Sequence, residues 1–323
     1  MKKSRLILAG AAALLLLLAG GGLLNGWLGE GPLTANQAVI VPDGASLNTI
    51  SVRLQNAGAI YSARAFRFHA RLFGAGGKVR AGEFLIPAGA SESQILKIIT
   101  GDEALRRFVT IPEGLPSVMV EDRLNAQTFL TGAVATPEEG SVLPETYDFQ
   151  RGESRAAVLA RMQAAMAKVL DEAWAKRADG LPVKTKQEAL VLASIVEKET
   201  GKASERPMVA GLYENRLKQG IMLQADPTII YPITKGKPLG RRIRQSEILS
   251  VNGYNTYAMS GLPRGPITNP GRAAIEAVLH PAQTDALYMV ADGTGGHAFA
   301  STLEQHNRNV ERWFAIRHAR GEL

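Results

Sequence analysis

Cysteine is absent from all 323 residues, which excludes disulfides, thiolate nucleophiles, cysteine-ligated zinc and lipoprotein acylation while leaving the compartment open. Aromatic residues are scarce at 6%, and Lys and Arg alternate with acids instead of gathering in a stripe. A nucleic-acid partner, which asks for concentrated basic charge and stacking rings, is therefore not expected. The net charge is +7, but Lys2, Lys3 and Arg5 supply three of these charges, so the rest of the chain carries only a mild basic bias. His280, His297 and His306 show no HExxH or comparable ligand spacing, so neither a metal nor a cofactor is expected. No long low-complexity tract is present, and 46% hydrophobic with 21% charged residues describes a chain that folds.

Charge is also missing from Leu6 to Gly29, and Leu6 to Leu24 is nearly all apolar. At about 1.5 Å per residue such a run approaches the ~30 Å hydrocarbon core, which predicts one transmembrane helix over residues 6–28. Lys2, Lys3 and Arg5 precede it and Glu30 is the first charge after it. The positive-inside rule then leaves residues 1–5 in the cytoplasm and exports the remainder, with Trp27 in the interfacial belt. A cleaved signal peptide is the competing reading, because Ala19, Gly20, Gly21 and Gly22 offer small residues for a cut. The apolar run resumes at Leu23, Leu24, Trp27 and Leu28, which favours an uncleaved anchor.

Residues 29–37 are Gly/Pro-rich and polar and read as a linker. A small α+β module is predicted over residues 38–106: a strand to Val41, a turn at Asp43-Gly44, helices from Ser46 and Ser62, and a strand from Gly82 to Ile86. A helix opened by a Ser91/Gln94 capping box closes it. This pattern resembles LysM-type peptidoglycan-binding modules, with a plain spacer fold as the alternative. Residues 107–323 form the expected larger, mixed α/β domain, making the whole chain α+β. Within it Val158, Met162, Met166, Val169, Leu170 and Trp174 predict an amphipathic helix from about Ser154 to Arg177.

The next helix, Lys186 to Thr200, is apolar or small on nearly every side, which marks it as buried. Glu197 and Glu199 close it on different faces. Either carboxyl is open to desolvation, which raises a carboxyl pKa and suits a general acid, although periodicity alone favours surface residues of a fraying last turn paired with Lys198 or Lys202. Downstream, Gln224, Asp226 and Thr228 sit against Pro227 and apolar residues like a cleft edge. Tyr254, Asn255, Tyr257 and Asn269 lie in a Gly/Pro-set loop whose rings and amides suit sugars, or else serve as core and turn residues.

The segment from Leu192 to Thr200 (LASIVEKET), Asn215-Arg216-Leu217, Leu223-Gln224-x-Asp226-Pro227-Thr228, Tyr254-Asn255-Thr256-Tyr257, Gly261-Leu262-Pro263, Asn269-Pro270-Gly271, His280-Pro281 and Gly296-His297-x-Phe299 together resemble the endolytic murein transglycosylase (MltG, YceG-like) family. Arg264 and Glu145 stand where that family often carries Pro and Asp. The resemblance implies a lytic transglycosylase of the bacterial inner membrane with a periplasmic catalytic domain. It implies peptidoglycan glycan strands as substrate and peptidoglycan synthases as partners. It places the acid/base at Glu197, with Gln224, Asp226, Thr228, Tyr254, Asn255, Tyr257 and Asn269 binding glycan. One carboxyl suffices for such a reaction, because the C6 hydroxyl of N-acetylmuramic acid closes a 1,6-anhydro ring in place of water. The non-enzymatic alternative is a membrane-tethered wall-binding scaffold.

Overall fold

A computed structural model describes residues 2–74 and 77–322. Met1, Ala75, Gly76 and Leu323, which fall within the expected cytoplasmic stub, small module and catalytic domain, lie outside the described residues. The chain divides into two compact units, Met1–Arg107 with Asp148–Gly152, and Phe108–Tyr147 with Glu153–Leu323.

The first unit begins with α1 (Lys2–Leu28), of which Gly10–Leu28 is long and apolar enough to cross a membrane. Leu14 to Leu18 of this helix are exposed. Its last turn is different. Trp27, expected in an interfacial belt, is 7% exposed, its ring 6.0 Å from Phe73 and 6.4 Å, edge-on, from His69. The following stretch is docked by backbone ties: Gly31 N–H donates to Gly89 O at 3.1 Å and Gly89 N–H to Leu33 O at 2.8 Å.

Strands β1 (Gln37–Val41) and β2 (Gly82–Ile86) pair antiparallel, with Val39 opposite Phe84. Their period-two pattern turns Val39, Val41, Phe84 and Ile86 inward while Ile40 and Leu85 face out. Between the strands run α2 (Leu47–Asn56) and α3 (Ala63–Phe73), whose caps Ser46 and Ser62 accept from the backbone three residues on. α4 (Glu92–Thr100) opens with the reciprocal Ser91–Gln94 box that its spacing predicts. Ile50, Leu54, Phe66, Ile95 and Ile99 complete this unit's core.

β3 (Arg107–Thr110) pairs with β4 (Thr146–Phe149), and between them lies α5 (Ser117–Asn125). The second unit is built around α7 (Lys186–Glu199), capped by Thr185 and buried at every residue from Ala189 to Val196. A helix apolar on all sides needs cover on all sides. It comes from α6 (Arg155–Ala175), α8 (Arg206–Lys218), α9 (Asp226–Thr234) and α11 (Arg272–Leu279). α10 (Gln245–Ile248) is a single turn; the antiparallel hairpin β5 (Tyr288–Ala291) and β6 (His297–Ala300) leads to α12 (Leu303–Ala319). Among the described residues every sheet has two strands, so this unit is helix-dominated, with β structure at its margins.

Candidate active site

α7 delivers two acids from its last turn. At about 100° per residue, Glu197 and Glu199 leave the helix roughly 200° apart and meet different surroundings. Glu197 Oε2 accepts the Gly271 N–H at 2.9 Å. Its Oε1 lies 3.4 Å from Arg206 Nη2, which also holds Glu113 Oε2 at 2.8 Å. Gly271 suits this close approach, since a Cβ there would press on the Glu113 carboxyl and displace it. Burial raises the Glu197 pKa; the Gly271 N–H draws it back, Glu113 pushes it up, and Arg206 and Lys198 lower it. Both oxygens are thus engaged with protein groups.

Glu199 lines a cavity of about 420 Å³. Burial is the main cause that pushes its pKa up to about 7; the hydrogen bond from Tyr213 opposes the rise, Asp226 adds to it and Arg216 opposes it. Glu199 Oε1 is buried with no hydrogen-bond partner. A carboxyl with such a pKa holds its proton near neutrality, as a general acid requires.

The same cavity receives Gln224, Asp226 and Tyr257, three of the residues expected to bind glycan. Asp226 Oδ1 accepts the Tyr257 hydroxyl at 2.6 Å. Gln224 has φ +54°, a left-handed conformation uncommon outside glycine. It is held by its N–H donating to Thr256 O at 3.1 Å and by Arg216 Nη1 at 3.3 Å from its Oε1. Strain at a residue facing a cavity is a common mark of a functional position.

The other expected residues have different surroundings. Asn255 is fully buried, its Nδ2 donating to the carbonyls of Glu247, Ile248 and Ser250 while Oδ1 accepts from Tyr257 N–H. Asn269 is equally buried: Nδ2 donates to Leu115 O at 2.8 Å and Ser117 Oγ at 3.1 Å, and Oδ1 accepts from Val142 N–H at 3.0 Å. Thr228 spends its hydroxyl on Ala225 O and Thr256 Oγ1. The Tyr254 ring lies 4.8 Å from Tyr231, tilted by 51°, with the Arg264 guanidinium over its own face. The two Asn and Thr228 tie loops together and present nothing to a ligand.

Arg216 is the residue the sequence did not single out for the site. Its guanidinium gathers Leu287 O at 2.6 Å, Leu223 O at 2.9 Å and Met222 O at 3.1 Å, and lies 5.5 Å over the Tyr288 ring. One buried cation so joins α8, the chain entering α9 and the hairpin strand β5. The available signal was its place in the Asn215-Arg216-Leu217 segment of the family resemblance. The histidines raised as metal candidates part company: His297 and His306 line the Glu199 cavity, whereas His280 lines a separate groove. Among the described residues no group of three or more potential ligands converges.

The model of the YceG-like family matches residues 39–312. An endolytic murein transglycosylase of Bacillus subtilis (strain 168) is 26% identical over 310 residues, covering 86% of this chain and 85% of that protein. A protein of the same name from Streptococcus pneumoniae (serotype 2, strain D39) is 28% identical over 333 residues; it covers 86% of this chain, which spans only 59% of that protein's length. A crystal structure of a YceG-like protein from Listeria monocytogenes aligns with a TM-score of 0.53 at 25% identity, over 84% of this chain and 98% of that one.

Proposed function

The chain belongs to the YceG-like family, and on that premise we propose that it is a peptidoglycan lytic endotransglycosylase that cuts glycan strands between N-acetylmuramic acid and N-acetylglucosamine. The observation that carries the site is the Glu199 carboxyl, which lines the cavity and is raised by burial to about 7. The geometry favours Glu199 over Glu197, the acid that the family motif suggested, because Glu197 is occupied by Gly271 N–H and Arg206 and does not line the cavity. Gln224, Asp226 and Tyr257 join Glu199 as the glycan-contacting set.

In the proposed step the protonated Glu199 gives its proton to the glycosidic oxygen as the C1–O4 bond breaks, freeing the N-acetylglucosamine 4-hydroxyl. The C6 hydroxyl of the same muramyl residue bonds to C1, and its proton returns to the Glu199 carboxylate. Water is not consumed, and the acid is regenerated in one cycle. Oxocarbenium-like charge on the sugar is met by the dipoles of Gln224 and Tyr257.

α1 serves in this reading as a single-pass anchor of the inner membrane, with a cytoplasmic amino terminus and both units in the periplasm. Such an anchor would hold the enzyme where strands emerge from peptidoglycan synthases, its proposed partners. The strand–helix–helix–strand order of the first unit supports a LysM-like glycan-binding module. The test is digestion of uncrosslinked glycan strands by the full chain and its Glu199→Gln and Glu197→Gln variants, with products read by mass spectrometry. Anhydro ends one water lighter than hydrolytic ones, lost in Glu199→Gln, are expected. Reducing ends would make it a hydrolase; no cleavage by folded wild type would leave the membrane-tethered scaffold.

A further inference from the structure

The hairpin β5–β6 sets the His297 imidazole into the wall of the cavity that holds Glu199, and the reaction proposed above does not use it. Glu205, in the 3₁₀ turn before α8, receives this residue twice: His297 Nδ1 lies 2.9 Å from Glu205 Oε2, and the His297 backbone N–H donates to Oε1 at 3.1 Å. Lys202 Nζ at 3.3 Å and Thr200 Oγ1 at 3.4 Å approach the same carboxyl. Gly296 suits this close seat, since a Cβ there would press on the Glu205 carboxyl and Lys202 Nζ.

Burial pushes the Glu205 pKa upward, but the hydrogen bonds from His297 and Lys202 outweigh it and hold the group below the ordinary carboxylate value. An ionised carboxylate only accepts, so His297 Nδ1 is the donor. A neutral imidazole that donates through Nδ1 carries a bare lone pair on Nε2, and among the described residues no hydrogen bond reaches that atom. The other polar groups of the cavity contrast with it. Asp226 Oδ1 is engaged by Tyr257 and the Gln224 side-chain oxygen by Arg216, while Glu199 Oε1 and His306 Nδ1 are unpartnered but buried, so in the neutral ring Nε2 is an acceptor available to a ligand rich in hydroxyl donors.

We propose that His297 contacts the glycan, its Nε2 accepting a hydrogen bond from a sugar hydroxyl, and that Glu205 is the positioning residue that fixes the ring and its tautomer. This rests on the Glu199 cavity being the glycan site. No proton changes hands at His297. The contact orients the strand while Glu199 carries the proton in both directions. A buried carboxylate is well suited to this, because it locks one ring nitrogen and so defines what the other offers.

The experiment uses the full chain and uncrosslinked glycan strands. His297→Asn places an amide donor where Nδ1 was and keeps the backbone bond to Glu205, but has nothing at the Nε2 position; His297→Gln places a carbonyl near Nε2. We expect His297→Asn to melt like wild type while turnover falls about ten- to a hundredfold, the value of one hydrogen bond, and His297→Gln to recover part of the loss. Imidazole ¹⁵N spectra should show the Nδ1–H tautomer for His297 in wild type and its loss in Glu205→Gln. Turnover within twofold of wild type in His297→Asn, a loss that only follows unfolding, no recovery in His297→Gln, or an Nε2–H tautomer in wild type would each overturn the proposal. Glu199→Gln, run alongside, separates the two readings. If it stays active while folded His297→Asn does not, the Glu199 assignment falls and His297 stands; the reverse pattern removes His297 alone.

Discussion

Two carboxyls two residues apart have different chemistry here because the helix turns one toward a loop backbone and the other toward a cavity. Glu199→Gln should lower turnover on glycan strands about 10²–10⁴-fold, the usual worth of a general acid, or more if one group serves both steps. Glu197→Gln should keep most turnover, since an amide oxygen still accepts the Gly271 N–H. Folded, near-wild-type activity in Glu199→Gln would return the role to Glu197. The pH dependence follows from the raised pKa. The acid must be protonated, so kcat/KM should fall tenfold per unit above about pH 7. Stability moves in the same direction: with the folded pKa above the ordinary 4.5, the neutral carboxyl costs nothing at low pH and the buried charge costs most above about 7. Relative to wild type, Glu199→Gln should therefore gain on the order of 3 kcal/mol between pH 4.5 and 8. Urea titrations at both pH values measure this, and an unchanged gap would mean that Glu199 is not desolvated. The Glu-Lys-Glu triplet was legible in the sequence as the reactive end of a buried helix. Which acid meets the cavity was not, because α8 and the chain entering α9, distant in sequence, build that cavity.

At the scale of elements, the two segments expected to meet sugar divide between presenting groups and holding loops. The stretch entering α9 presents Gln224 and Asp226, as its mix of amide and carboxylate beside Pro227 suggested. The loop before α11 mostly holds itself together: its amides are buried ties, and a Gly/Pro loop with Asn looks the same in sequence whether the Asn faces inward or outward. Asn269→Ala should consequently destabilise by about 2–3 kcal/mol, since it strands the Val142 N–H in the interior and leaves the Leu115 carbonyl only the backbone N–H of residue 269. A Tm equal to wild type with reduced glycan affinity would instead make Asn269 a ligand contact. Gln224→Asn tests the opposite case. Asn tolerates the left-handed backbone at least as well as Gln, so stability should hold or rise slightly while the shorter side chain loses Arg216 and the glycan. At least tenfold lower turnover with unchanged Tm is expected. The helices themselves were legible to within about two residues, as at α6 and α7, because periodicity and Ser or Thr caps are local signals.

At the scale of the whole molecule, the sequence marked one export segment followed by a small and a large folded part. It did not reveal that residues 148–152 belong with the first unit, because that return depends on tertiary pairing. Nor did it reveal that the apolar helix ends inside a folded unit. The sequence places Trp27 in the interfacial belt, yet its ring is covered by His69 and Phe73, and Gly26 lies so close that a Cβ there would stand 2.7 Å from His69 Cε1. The last turn of α1 therefore belongs energetically to the first unit while the preceding stretch remains exposed. Two truncations separate these roles. A chain starting at residue 25 loses the span but keeps Trp27; one starting at residue 30 loses both. Neither should remain with membranes, whereas the full chain should resist alkaline extraction and retain its original amino terminus. Removing a buried Trp costs about 3–5 kcal/mol, so the shorter chain should melt several degrees below the longer one, with the loss confined to the first unit. Equal melting would mean that Trp27 adds nothing to that unit, and a mature amino terminus near Gly22 in the full chain would replace the anchor with a cleaved export signal.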